Sequence, residues 1–335
     1  MKTCTWKRAL LAGAALLLTA APPLSAANVS VPLLELYTRG YDPGTGWGLY
    51  STGEMEIQLD GGYKFGGNVQ FGFSSDLLEV STADILTFRA AGVTMRELFG
   101  LPLDLTYFIG QGPTFGSGEV FTDFFGAAPI GSSYPGFVHF ADAAFTYDGL
   151  FTPTGTGLQI DLSPMRDRWL LSVLLYQDSL IEPVPPALGE GHYALDVRYA
   201  LNLPRILFEG FVGATYPDAS GNFGAYRAGV LFYTSPVKGV ETLAEAGIPL
   251  WDPVADPFSL DLFYLLLEPR VQYKILSIVQ TTLWRPAYYQ QVPTGERAID
   301  VNLDFQVGNV ETLISGGVEG NLVYQTDPPP ADEIA

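Results

Sequence analysis

The stretch EMEIQLDGGYKFGGNVQFGFSS, residues 54–75, decides how the whole chain is read. Met55, Ile57 and Leu59 take one side of an alternating pattern, and Glu54, Glu56, Gln58 and Asp60 the other. After Gly61-Gly62, Tyr63, Phe65, Val69, Phe71 and Phe73 share a side, opposite Lys64, Asn68, Gln70 and Ser74. A period of two belongs to β-strands with two chemically different faces. The DGG at 60–62 predicts a tight hairpin that places Leu59 opposite Tyr63, with glycine supplying the positive φ of the turn. The question is which face meets water.

The pattern recurs in LPLDLTYFIG (101–110), HYALDVRYALN (192–202) and AIDVNLDFQVG (298–308), and more weakly in seven further segments. Tight connections are expected at NLPR (202–205) and GNVE (308–311). Long ones, rich in Gly, Pro, Asp and aromatics, are expected at 110–137, 178–191, 217–223 and 248–258. No useful helical period appears. The most apolar stretch, residues 259–284, is cut by Asp261, Glu268, Pro269, Arg270 and Lys274. A membrane-spanning helix needs about 20 nearly uncharged residues.

Hydrophobic residues make up 47% of the 335, yet charged residues only 16%, where a soluble chain carries about 25%. Mean hydropathy is +0.19. The N-terminus has Lys2, Lys7 and Arg8 ahead of an apolar run from Ala9 to Ala21, then Pro22-Pro23 and a small-residue cleavage site at Ser25-Ala26-Ala27. This predicts a signal peptide over 1–27 that carries the chain through the inner membrane. Cleavage would remove Cys4, the single cysteine, and three cations, leaving 14 Lys and Arg against 36 Asp and Glu. Such acidity argues against a nucleic-acid partner, whose phosphates would be repelled. The end, TDPPPADEIA (326–335), reads as a disordered acidic, proline-rich tail.

A soluble sandwich would bury the apolar faces, and a membrane barrel would turn them to lipid. Four features favour the barrel. The mature chain has only Lys64, Lys238 and Lys274 as lysines, although soluble sheets protect their edges with lysine. The Tyr63–Phe73 track gathers bulky aromatics at its ends, as interfacial girdles do. Short and long connections interleave. A leader is present without any membrane helix. In this pattern the mature chain resembles a bacterial outer-membrane β-barrel of porin-like kind. The resemblance implies an all-β fold over 28–325: a transmembrane antiparallel up-and-down β-barrel of about 14 strands, within a range of 12–16. It also implies outer-membrane lipid and the barrel assembly machinery as partners. A closing strand with an aromatic end is expected, here ISGGVEGNLVY, finishing at Tyr324 with eleven residues after it.

Little in the chain points to catalysis, a metal or a cofactor. His139 and His192 are the only histidines and lack metal-ligand spacing, and no GxSxG elbow is present. If the apolar tracks face lipid, the lumen-facing candidates are Glu54, Glu56, Asp60, Lys64, Asp104, Asp196, Arg198, Asp300 and Asp304. Acids outnumber cations among them, which predicts a small-solute channel with a mild cation preference. Ordinary ion pairing, such as Asp196 with an Arg on a neighbouring strand, is the alternative use of these residues. The aromatic stretch 120–137 is expected to fold inward as a constriction or plug, or else to form two more strands, VFTDFF and FVHFADAAFTY. Two other functions fit the same pattern: a structural or adhesive surface barrel with a plugged lumen, and a transporter of hydrophobic molecules.

Overall fold

A computed structural model describes residues 28–41, 48–76, 87–133, 149–165, 167–179, 191–217, 223–253, 257–259, 262–285, 296–308 and 313–325. The predicted leader (1–27), the acidic tail (326–335), the turn at 309–312 and the FVHFADAAFTY segment with His139 lie outside the described residues. The fold is all-antiparallel β, consistent with a porin-like outer-membrane β-barrel. Fifteen strands are described, inside the expected range. No described helix is long and apolar enough to cross a membrane.

The chain divides into two compact units, Met1–Arg96 and Glu97–Ala335. The first contains β1 (Asn28–Tyr41), β2 (Gly48–Asp60), β3 (Phe65–Asp76) and β4 (Thr87–Met95), each antiparallel to the next. The register corrects the hairpin expected at 60–62. Leu59 pairs with Gly67 and Asp60 with Gly66, and the strand ends leave four residues, Gly61 to Lys64, in the turn. Tyr63 and Lys64 therefore belong to the turn, with the Lys64 ammonium 5.3 Å from the Tyr63 ring centre. The reason is local: Asp60 Oδ1 accepts the Gly62 N–H (3.1 Å), and the Gly61 N–H donates to the Phe65 carbonyl. This closes a longer turn than two glycines alone require.

The second unit runs from β5 (Leu103–Gln111) through β6 (Thr154–Leu162), β7 (Trp169–Asp178), β8 (Tyr193–Leu203), β9 (Ile206–Tyr216), β10 (Gly224–Val237), β11 (Val240–Trp251), β12 (Tyr264–Tyr273), β13 (Leu276–Arg285) and β14 (Glu296–Gly308) to β15 (Leu313–Gln325). Every consecutive pair in it is antiparallel. At one end the connections are tight: Pro204-Arg205, Lys238-Gly239 and Lys274-Ile275. Gly239 sits at φ +81°, a conformation in which a side chain would be strained. At the other end the connections are long, including 112–153 and 252–263. The VFTDFF segment is no strand. Glu119–Asp123 is a short helix, here α1, entered through Gly118 at φ +82°. Phe124 follows Val120 by four residues and Phe121 by three, a helical spacing that a two-residue period cannot satisfy.

The burial pattern of this unit is inverted relative to a soluble sheet. On β7 to β12 the side chains of one face are buried, among them Asp196, Arg198, Glu209, Arg227, Glu245 and Glu268. The opposite face is apolar and open: Leu175 is 56% exposed, Leu195 50% and Val212 58%. Water would oppose this arrangement by about 25 cal/mol for each Å² of apolar surface left open, and lipid would not. The first unit repeats the theme with Val29, Leu34, Leu36 and Val93 exposed.

Candidate functional site

Beneath the polar face of the second unit lies the segment that leaves β5 and returns to β6. Its two limbs are joined by a bridge between Phe115 and Phe151, with the Phe115 N–H donating to the Phe151 carbonyl (2.7 Å). Phe115 and Phe121 are fully buried, and Val120, Ile130, Leu150 and Phe151 nearly so. They pack on inward residues of the wall: Leu170, Leu174, Tyr176, Phe211, Leu231, Leu243, Leu266 and Leu283. The aromatic segment is thus folded against the inner face. Leu150 enters a notch where two facing residues, Gly229 and Gly247, lack side chains.

Charged wall residues hold this segment from both sides. Arg198 on β8 lies 5.2 Å from the Phe115 ring centre, and Arg227 on β10 lies 4.6 Å from that of Phe151. Both are cation–π contacts in a desolvated setting. Farther along, Glu268 on β12 accepts from Ser132 Oγ (2.6 Å), Ser133 N (3.0 Å), Ser133 Oγ (3.0 Å) and Thr281 Oγ1 (2.7 Å). Arg270 pairs with Glu268 at 2.6 Å and donates to the Gly131 carbonyl. A buried carboxylate is tolerated when its lone pairs are met this fully. Glu268→Gln should cost about 1.5–3 kcal/mol, because one of these donors then faces an amide N–H2. The check is faster chymotryptic cleavage at Phe124 and Phe125 in the folded variant than in the parent.

The sequence candidates fall into four groups. Asp196 and Arg198 are buried beneath the segment. Asp196 takes Arg227 in a two-pronged pair, Nε–Oδ1 2.5 Å and Nη2–Oδ2 2.9 Å. Arg227 also donates to Thr215 Oγ1 and Tyr176 Oη, and Thr215 to Asp178. The partner of Asp196 is therefore two strands away. The pair reaches across Gly213 of β9, where a Cβ would fall inside the Asp196 carboxylate. Arg198 approaches Glu209 at 4.0 Å. Asp104 lies near the tight-turn end and accepts the Glu97 N–H at 2.8 Å.

In the first unit, Glu54 is paired with Arg89, and Asp60 with Arg96 at 3.8 Å. Those arginines reach over Gly72 and Gly66, where no side chain obstructs them. Glu56 accepts a bond from Gln58 (3.3 Å), and Lys64 lies in the turn described above. Asp300 and Asp304 occupy β14 opposite Leu283 and Val279, and their side chains lie outside the described residues.

Sequence reading missed Arg89, Arg96, Arg227 and Glu268. Arg227 follows a bulge between Gly224 and Arg227, where Ala225 takes φ +47°, and this breaks the alternation that would have flagged it. It also missed Glu119 and Asp123, which are exposed on α1 while Val120 and Phe121 are buried. His192 Nδ1 meets the Pro217 carbonyl. Among the described residues no three His, Cys, Asp or Glu are placed to hold a metal ion.

No family model and no curated protein matches the chain. Among solved structures, a mutant of Rh. blastica porin aligns with a TM-score of 0.48 at 10% identity, covering 88% of this chain and 97% of that one. A second mutant of the same porin aligns at 0.49 and 10%, with the same coverage. A triple mutant of Rhodopseudomonas blastica porin aligns at 0.47 and 8%, covering 89% and 100%. Similarity of this degree assigns no role to any residue.

Proposed function

We propose that the chain is a bacterial outer-membrane channel for small solutes, narrowed by the inward segment and mildly selective for cations. The observation that carries this reading is the inversion of faces in the second unit. Open apolar side chains on one side suit lipid, and the other side is polar and carries a folded segment that narrows whatever space it borders. Such a protein would pass the inner membrane by its leader and insert through the barrel assembly machinery.

The preference is expected to be mild because the pairs Arg89–Glu54 and Arg96–Asp60 neutralise two of the candidate acids. Glu56 is half-exposed on β2, and Glu119 and Asp123 are exposed on α1. Carboxylates near a confined aqueous path set a negative potential there, strongest at low salt. The test is the reversal potential across a salt gradient in planar bilayers. The wild-type protein should favour cations over chloride, and Glu56→Gln, Glu119→Gln, Asp123→Asn in one chain should reduce that preference. Chloride preference in the wild type would sink the cation reading. A second reading, a structural barrel with a sealed lumen, draws on the complete burial of Phe115 and Phe121. Absence of any conductance would favour it.

A further inference from the structure

The tight turns of the second unit share a composition that the channel reading leaves unused. The turns 163–168, 204–205, 238–239 and 274–275 contain five Lys and Arg and a single acid, Asp167, and the sequence of the remaining connection at this end, 309–312, adds Glu311 and no cation. The long connections at the opposite end, 112–153, 179–192, 217–223 and 252–263, contain ten Asp and Glu and no Lys or Arg. In so acidic a chain, this division gathers the cations of these connections at one end of the sheet.

The turns form a continuous rim. The Asn202 N–H donates to the Arg168 carbonyl (2.7 Å) and its amide to the Asp167 carbonyl (3.1 Å). Arg205 Nη1 donates to the Pro236 carbonyl (2.9 Å), and the Gln272 N–H to the Gly239 carbonyl (2.7 Å). Successive turns are two strands apart, about 10 Å. Arg168, Arg205, Lys238 and Lys274 are all exposed, and each stands beside open apolar residues of the outward face. Met165 precedes Arg168, Ile206 follows Arg205, Val237 and Val240 flank Lys238, and Tyr273 and Ile275 flank Lys274. The Lys274 ammonium lies 5.2 Å from the Tyr273 ring centre. A long cationic side chain at the edge of an apolar band rests its stem on that band and raises its charge to headgroup level.

We infer that this rim is a binding surface for anionic phospholipid, holding the headgroup phosphates of the leaflet on the tight-turn side. The inference rests on the membrane reading above, because the apolar band beside the cations places the phosphate in a lipid rather than free in solution. A cation near an anionic membrane surface raises the local anion preference by about fivefold.

The test uses the mature chain, folded and placed in nanodiscs of equal phosphatidylglycerol and phosphatidylcholine with matched acyl chains. Lipids retained after mild detergent extraction are counted by mass spectrometry. The wild-type protein should retain phosphatidylglycerol over phosphatidylcholine by about fivefold. The variant Arg168→Gln, Arg205→Gln, Lys238→Gln, Lys274→Gln should retain both equally while staying heat-modifiable. If that variant fails to fold, Lys238→Gln with Lys274→Gln preserves the Arg205–Pro236 bond and should lower the ratio by at least about twofold. Lys238→Arg with Lys274→Arg should keep it. Equal ratios in wild type and variants overturn the inference. So does loss of the wild-type preference on adding millimolar inorganic phosphate, which would identify a free-anion site. A wild-type protein that selects phosphatidylglycerol yet conducts nothing would sink the channel reading alone.

Discussion

Arginine at Val212 is expected to destabilise the folded protein by about 2–4 kcal/mol and to block its assembly into membranes, and arginine at Leu195, nearer a strand end, to destabilise it by less. Both residues are half open or more; Val212 lies at the middle of β9 and Leu195 two residues inside the start of β8. In water an exposed valine accepts arginine with little cost, and such substitutions usually stay within about 0.5 kcal/mol. The large effect arises only if hydrocarbon surrounds these side chains, so the pair of substitutions reads the solvent directly. Urea titration of the vesicle-inserted protein, with heat-modifiability as the assay of folding, measures it. Tolerance at both sites would mean that the open apolar face meets water and that the membrane reading is wrong.

Arg227→Ala is expected to cost about 3–5 kcal/mol, the loss associated with removing one partner of a buried ion pair. The arginine serves Asp196 in two bonds, lies 3.9 Å from Asp178, and carries the ring of Phe151. Truncation removes the counter-charge from two buried carboxylates and loosens one of the contacts that hold the inward segment. Replacing both partners, Arg227→Met with Asp196→Leu, should recover much of the loss, because two apolar groups need no counter-charge. Equilibrium unfolding of the single and double variants decides the matter. A double variant no more stable than Arg227→Ala would show that the network contributes more than charge compensation.

Strand existence and facing were readable because a two-residue period needs no knowledge of neighbours. Leu195, Val197 and Tyr199 announce one face whatever strand lies beside them. Register was less readable. The hairpin after Leu59 depended on the Asp60–Gly62 bond and the Arg96 contact over Gly66, neither of which alternation encodes. That Asp196 would be paired with an arginine was foreseeable. That the arginine would be Arg227, two strands distant, was not, since it needs Gly213 to leave the intervening strand bare. The inward segment was legible as apolar and aromatic, but its fastening to Glu268 joins residues that only the folded sheet brings together. α1 was hidden in VFTDFF because five residues are too few to display a helical period.

The fastening of Ser132 and Ser133 to Glu268 spans 135 to 136 positions along the chain. Closing so long a loop carries an entropic cost that must be met before the contact returns anything. The inward segment is therefore among the last parts to settle, since its anchor on β12 exists only after β6 to β11 have formed the intervening sheet. Until then Phe115, Phe121 and Phe151 have an incomplete wall to cover them. On the channel reading proposed above, insertion and narrowing would be separate events in time: a chain newly placed in the membrane would begin wide and acquire its constriction afterward.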